Sequence, residues 1–352
     1  MSSMEGKGRL IHIDGLRGLA VLLMILVHAA ATWEPELNGL WVGIGVVVSA
    51  AGGLAAPLFI TLLGWGMAQK PLSAKKRFWR ATFLFFCQLI VNMSAPHLFE
   101  PWTPGVLSLM GALILLEPCW RSVQHRRNPL GRNFFLALSI VCCLTLLFGD
   151  WQGPSAWDDR VSTVSVSVLV HHLFLTGLYP VFPWVVFAWF GATIASLQDE
   201  QERHGWLRTT SFVGLSISAL VLALSIQGGR PWALPTGDAA LTFFPANAPF
   251  LVAALTGVSL LWWGAERFSL VHRVADLGRV SLTVYVLHFL PFALFHASDE
   301  VQHWGPALTA FVVVAYTMAW AVAGAWWHRR YPSSTLEAWM RRFEPAASRA
   351  AE

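Results

Sequence analysis

Long apolar runs separated by short polar ones make up almost the whole chain. Ten runs read as helical crossings: 11–31, 41–68, 78–94, 104–120, 133–149, 180–197, 209–227, 246–264, 279–297 and 305–327. A helix needs roughly 20 apolar residues to traverse about 30 Å of hydrocarbon. The second run is long and rich in Gly and Ala, which predicts a kink or a partly inserted leading piece. The segment 150–179 opens polar (DWQGPSAWDDR) and continues as TVSVSVLVHHLFLTGL. It is too short for a further crossing, so a re-entrant or interfacial cap is expected, with Pro180 and Pro183 resetting the chain afterwards. The pattern predicts an all-α polytopic membrane protein of about ten transmembrane helices. One domain spans 1–330 and a tail spans 331–352, its final residues PAASRAAE expected to be disordered.

Composition agrees. Hydrophobic residues are 55% of the 352 and charged residues only 12%, about half the charged share of soluble proteins. The cations also take sides. With the N-terminus inside, 21 of the 24 Lys and Arg fall at alternate ends of the crossings: before residue 10, at 70–80, 121–132, 203–208 and 267–279, and beyond 328. Arg160 and Arg230 fall on the other side, together with Glu34, Glu36, Glu100, Asp150, Asp158, Asp159 and Asp238. Lys and Arg are retained in cytoplasmic loops, so both termini are expected inside. The basic pI near 9.1 then reflects topology and gives no reason to expect nucleic acid as a partner. Cys87, Cys119, Cys142 and Cys143 lie in or beside apolar runs, and no disulfide framework is expected.

Three ionisable residues interrupt the first run, RLIHIDGLRGLAVLLMILVHAA. At 100° per residue, Asp14, Arg17 and His28 share one helix face, Arg17 and His28 about 16 Å apart along the axis. Intramembrane charge is costly and usually faces a partner or a cavity, so the triad is a candidate site. His28 is the sharpest candidate, while Asp14 and Arg17 also suit a structural ion pair. In LGRVSLTVYVLHFL, Ser281, Tyr285 and His288 form a second polar stripe at i, i+4 and i+7, opened by Arg279. Interhelical hydrogen bonding would explain Ser281 and Tyr285 as well. Glu34, Glu36, Asn38, His97, His171 and His172 lie at the outer ends. Two adjacent histidines without a spaced third ligand do not make a metal site, and none is expected. Lys75, Lys76, Arg77 and Arg80 mark topology, or a dock for a polyphosphate.

These stretches resemble the transmembrane acyltransferases. Arg17 and His28 reproduce an Arg-x10-His spacing similar to that of acyltransferase-3 proteins. APLFITLLGWGMA, PGVLSLMGALILL, YPVFPWVVFAWFGATIA and LGRVSLTVYVLHFL look more like bacterial members of the heparan-α-glucosaminide N-acetyltransferase-like family. The resemblance implies a multi-pass protein of the bacterial inner membrane that moves an acyl group, acetyl above all, from cytoplasmic acyl-CoA. The acceptor would be a hydroxyl or amine of a glycan or lipid-linked sugar on the far side. It implies His28 as general base or else transient acyl carrier, Asp14 orienting Arg17, and His288 or Tyr285 polarising the thioester. Arg17, Arg279, Ser281, Lys76 and Arg77 would meet the donor. Glu34, Glu36, Asn38, His171 and His172 would meet the acceptor. The sequence departs from the glucosaminide branch at one point: Trp33-Glu34-Pro35-Glu36-Leu37, before Asn38-Gly39, contains no histidine. A transporter or flippase, or a non-catalytic relative, would use the same polar residues, and a homodimer is left open.

Overall fold

The first apolar run forms α1 (Ile11–Thr32), and its small residues decide what can lie against it. The computed structural model describes residues 10–33, 37–122, 130–292, 294 and 304–346. The predicted second helix is two: α2 (Leu40–Gly52) and α3 (Ala55–Gln69). The break falls at Gly53-Leu54, next to Gly52, where a Cβ would run into the side chain of Val27 of α1. α4 (Ala74–Ser94) follows, then α5 (Val106–Leu115), α6 (Glu117–Ser122) and α7 (Leu130–Leu147). Pro118 separates α5 from α6, because it cannot donate to the carbonyl four residues back and its ring crowds that carbonyl.

The segment after α7 holds the short α8 (Trp157–Val161) and α9 (Val166–His171), the latter running into a wide turn through Thr176. α10 (Val181–Ser196) leaves this piece at 47°. α11 (Glu200–Gln227) starts nine residues before its apolar run, capped by Asp199, whose carboxylate accepts from Glu202 N at 2.7 Å. Next come α12 (Ala248–Arg267), α13 (Ala275–Gly278) and α14 (Ser281–Leu287). The chain ends in α15 (Pro306–Arg330) and α16 (Leu336–Arg342). Strand structure among the described residues is one two-residue parallel pairing, Ala233–Leu234 with Leu241–Thr242.

The fold is helical, as expected, but ten full-length crossings are not found among the described residues. Five spans are long and apolar enough to cross a membrane: α1, α2 with α3, α11, α12 and α15. The bent pair of the α9 piece and α10 would make a sixth. The other expected crossings fall short for local reasons. α4 opens with Lys75, Lys76, Arg77 and Arg80, and α5 is stopped before Pro118.

Small residues bring the helices to backbone contact. In α3 and α10, a Cβ on Gly64 would strike the Ala188 carbonyl, and one on Gly191 the Thr61 carbonyl. The core between them is aromatic, with Trp184, Phe187 and Phe190 fully buried.

Polar residues sort by end. Glu266 receives Arg203 and His204, both at 2.8 Å, and Trp262 Nε1 at 2.9 Å. Glu117 receives Arg77 and Arg121, and Arg77, Arg121 and Arg203 belong to the cations expected inside. At the opposite end Arg160 is 1% exposed and donates to the carbonyls of Thr176, Gly177, Gln152 and Gly153 at 2.9–3.3 Å. Burial lowers the pKa of this guanidinium to about 10. It staples the capping segment 150–177 into one piece.

Candidate active site

α1 and α14 meet along their polar stripes. Nδ1 of His28 lies 2.8 Å from Nε2 of His288. The ring centroids are 5.1 Å apart and the planes differ by 5°. Nitrogens so much closer than the centroids mean that the rings meet edge to edge, nearly coplanar.

His288 sits at an interruption of its helix, three residues before Pro291. A proline has no N–H and crowds the carbonyl four residues earlier, here that of Leu287, and the helix is interrupted in that turn, at His288. Tyr316 of α15 donates its hydroxyl to the His288 carbonyl at 2.6 Å. The imidazole folds back on its own helix, placing Nδ1 2.7 Å from the Tyr285 carbonyl and 3.2 Å from that of Val284.

These contacts fix the protons. A carbonyl only accepts, so Nδ1 of neutral His288 carries the hydrogen and Nε2 is bare. Nε2 therefore accepts from His28, whose Nδ1 must be the donor. The remaining nitrogen, His28 Nε2, is then unprotonated. This is the arrangement of an oriented base: one imidazole holds the other in a single tautomer and leaves its far nitrogen basic. His288 is fully buried, His28 half-buried. Phe289 packs on both rings, with centroids 5.0 and 4.2 Å away, and Tyr285 lies 5.9 Å from His288.

At the other end of α1, Asp14 is 2% exposed and accepts from Arg279 Nε at 3.1 Å. Arg279 also reaches Asp276 at 3.1 Å. Glycines make this crossing tight. A Cβ on Gly278 would enter the Asp14 carbonyl, one on Gly18 the Val274 carbonyl, and one on Gly15 would sit 2.5 Å from the Val271 carbonyl. The glycines of DGLRG and DLG thus set the spacing of the two site-bearing segments, and the ion pair sets their register.

The remaining sequence candidates are dispersed. Arg17 is half-buried on α1, and Ser281 is half-buried at the start of α14. Lys76 bonds Glu344 at 3.4 Å and Arg77 bonds Glu117 at 3.0 Å, so both charges are engaged within the chain. His171 is exposed. Its neighbour His172 is buried, with Thr176 Oγ1 and the Ser162 carbonyl on its two nitrogens at 2.8 and 2.9 Å. Asn38 is exposed ahead of α2, while Glu34 and Glu36 lie outside the described residues. Sequence reasoning passed over Pro291, Tyr316 and Phe289. A proline three residues after a helical histidine was the available signal for the first.

Residues 10–326 match the family model described as an acyltransferase domain. The chain belongs to the acyltransferase-3 family. The match runs from the residue before α1 into α15, so it takes in both histidines. The chain is also similar to the uncharacterized protein YeiB of Escherichia coli, 24% identical over 381 residues and covering 95% of each chain. Of the two groups that the sequence resembles, acyltransferase-3 is matched over residues 10–326. An acyltransferase-3 protein with several apolar helices of spanning length is an integral membrane acyltransferase.

Proposed function

We propose that this acyltransferase takes an acetyl group from cytoplasmic acetyl-CoA. It passes the group to a hydroxyl or amine of a glycan or lipid-linked sugar at the outer side of a bacterial inner membrane. The observation that carries this reading is the His28–His288 pair, with His28 Nε2 left as the bare nitrogen. In this scheme the acceptor O–H or N–H gives its proton to His28 Nε2 as its heteroatom attacks the thioester carbonyl. The C–S bond breaks, CoA leaves as thiolate, and the proton held on His28 returns to it. Imidazolium formed on His28 is stabilised by His288, which can accept the Nδ1 proton while the Val284 and Tyr285 carbonyls hold its own. His288 is then a positioning and relay residue. Both of its nitrogens are engaged, so polarisation of the thioester falls to Tyr285.

The donor enters from the end where Arg17 lies, and a pantetheine arm bridges the roughly 16 Å from there to His28. Lys76, Arg77 and Arg279 already hold carboxylates, so they engage donor phosphates only by exchanging Glu344, Glu117, or Asp14 and Asp276. The charge sorting along the chain supports ten crossings, some broken, with both termini inside.

The test is transfer of labelled acetyl from acetyl-CoA by purified protein in lipid, across sugar and lipid-linked acceptors. His28→Ala should abolish transfer and leave CoA binding nearly intact, and Arg17→Ala should weaken CoA binding. CoA binding with no turnover on any acceptor would make the chain a non-catalytic member of its family.

A further inference from the structure

The segment after the family-matched region bears on the site. α16 docks back onto the helices through both ends. At its amino end Glu337, 8% exposed, lies against the start of α14. Oε1 accepts from Leu282 N at 2.6 Å and Thr283 N at 3.3 Å, and Oε2 accepts from the Thr283 hydroxyl at 2.7 Å. That hydroxyl accepts in turn from Leu336 N at 2.9 Å. At the far end Trp79 Nε1 donates to the Met340 carbonyl at 2.9 Å, and Arg80 and Lys76 bond Glu344 at 2.7 and 3.4 Å. The segment bridges α4 to the helix that ends on His288.

α14 needs such a bridge. Seven residues close few internal hydrogen bonds, and the first turn leaves its backbone donors unpaired. The helix is interrupted before Ser281 and again at His288, and although Val284 N and His288 N bond the Val280 and Val284 carbonyls at 2.9 and 3.0 Å, so short a ladder carries His288 wherever its amino end is held. A carboxylate on two of the open N–H groups satisfies them and opposes the positive end of the helix dipole. We propose that Glu337 is a positioning residue for the histidine pair, holding the amino end of α14 so that His288 Nε2 meets His28 Nδ1. This rests on the acyl-transfer reading for its effect on rate, and on geometry alone for its effect on α14.

Two readouts keep those apart. Hydrogen exchange on the intact protein in lipid should show Glu337→Ala raising exchange across 281–292 by about tenfold, with 11–32 unchanged. In the transfer assay the same variant should lose about tenfold or more in kcat at constant KM for acetyl-CoA, because small misplacements of a catalytic group are costly. Glu337→Gln, which keeps one accepting oxygen, should recover most of both. Wild-type exchange across 281–292 in a folded Glu337→Ala overturns the proposal, and so does wild-type kcat in that variant. If the wild type transfers no acyl group, the acyl-transfer reading fails while the exchange result still decides the role of Glu337. If Glu337→Ala does not fold, Glu337→Gln must still raise exchange at 281–292 by at least twofold.

Discussion

His28 and His288, 260 residues apart, share one hydrogen bond of 2.8 Å in nearly one plane. The carbonyls behind His288 give that bond a direction, from His28 to His288. The pair should therefore behave as a unit. His288→Ala should lower kcat by about 10²-fold, within the range of general acid–base contributions. The double variant with His28→Ala should be scarcely slower than His28→Ala alone. Additive losses, read from single-turnover rates, would mean that the two rings act separately.

The glycines at the α1–α13 crossing admit no side chain. Gly18→Ala and Gly278→Ala should each cost about 1–3 kcal/mol by forcing backbones apart, seen as a lower unfolding midpoint in detergent. Gly66→Ala is the control, since a Cβ there meets nothing within 4 Å. It should be neutral or slightly stabilising, as Ala is the better helix former.

Arg160 satisfies four carbonyls of the segment 150–177. Arg160→Met keeps bulk and removes the donors, leaving buried acceptors unpaired. A loss of about 3 kcal/mol is expected, with early proteolysis between 150 and 177. An unchanged cleavage pattern would mean that the segment is held by its apolar contacts.

Docking of the tail should depend on pH. Burial alone would raise the Glu344 carboxyl, but the hydrogen bonds and charges of Arg80, then Lys76, outweigh it and hold its pKa below the ordinary carboxylate range. A depressed folded-state value means that the contact stabilises above the ordinary carboxylate range and is lost as pH falls through the lowered value. Protease protection of 331–346 should be flat from pH 7 to about 5 and fall off in stronger acid. Glu344→Gln should reduce protection already at pH 7.

Much of the site was legible because it obeys helical arithmetic. Asp14, Arg17 and His28 fall on one face by spacing alone, and Ser281, Tyr285 and His288 on another. Neither stripe says which face it meets. The break at Gly53-Leu54 falls in the Gly- and Ala-rich run whose composition predicts a kink. Other breaks were not, because hydropathy counts apolar residues and does not register that Pro118 and Pro291 remove a donor. His171 and His172 are adjacent in sequence yet one is exposed and the other locked on Ser162 and Thr176. Spacing in a tight turn cannot distinguish them.

By itself the sequence determined an apolar helical chain, the sorting of its cations, and two polar stripes of fixed period. These depend on composition and local geometry, which each segment carries alone. Tertiary structure decided that His28 faces His288, that Asp14 takes Arg279, and that Glu337 closes the end of α14. Each of these joins residues more than 50 positions apart, and such contacts exist only once the chain has brought distant helices together, through backbone approach that glycine permits at the α1–α13 crossing.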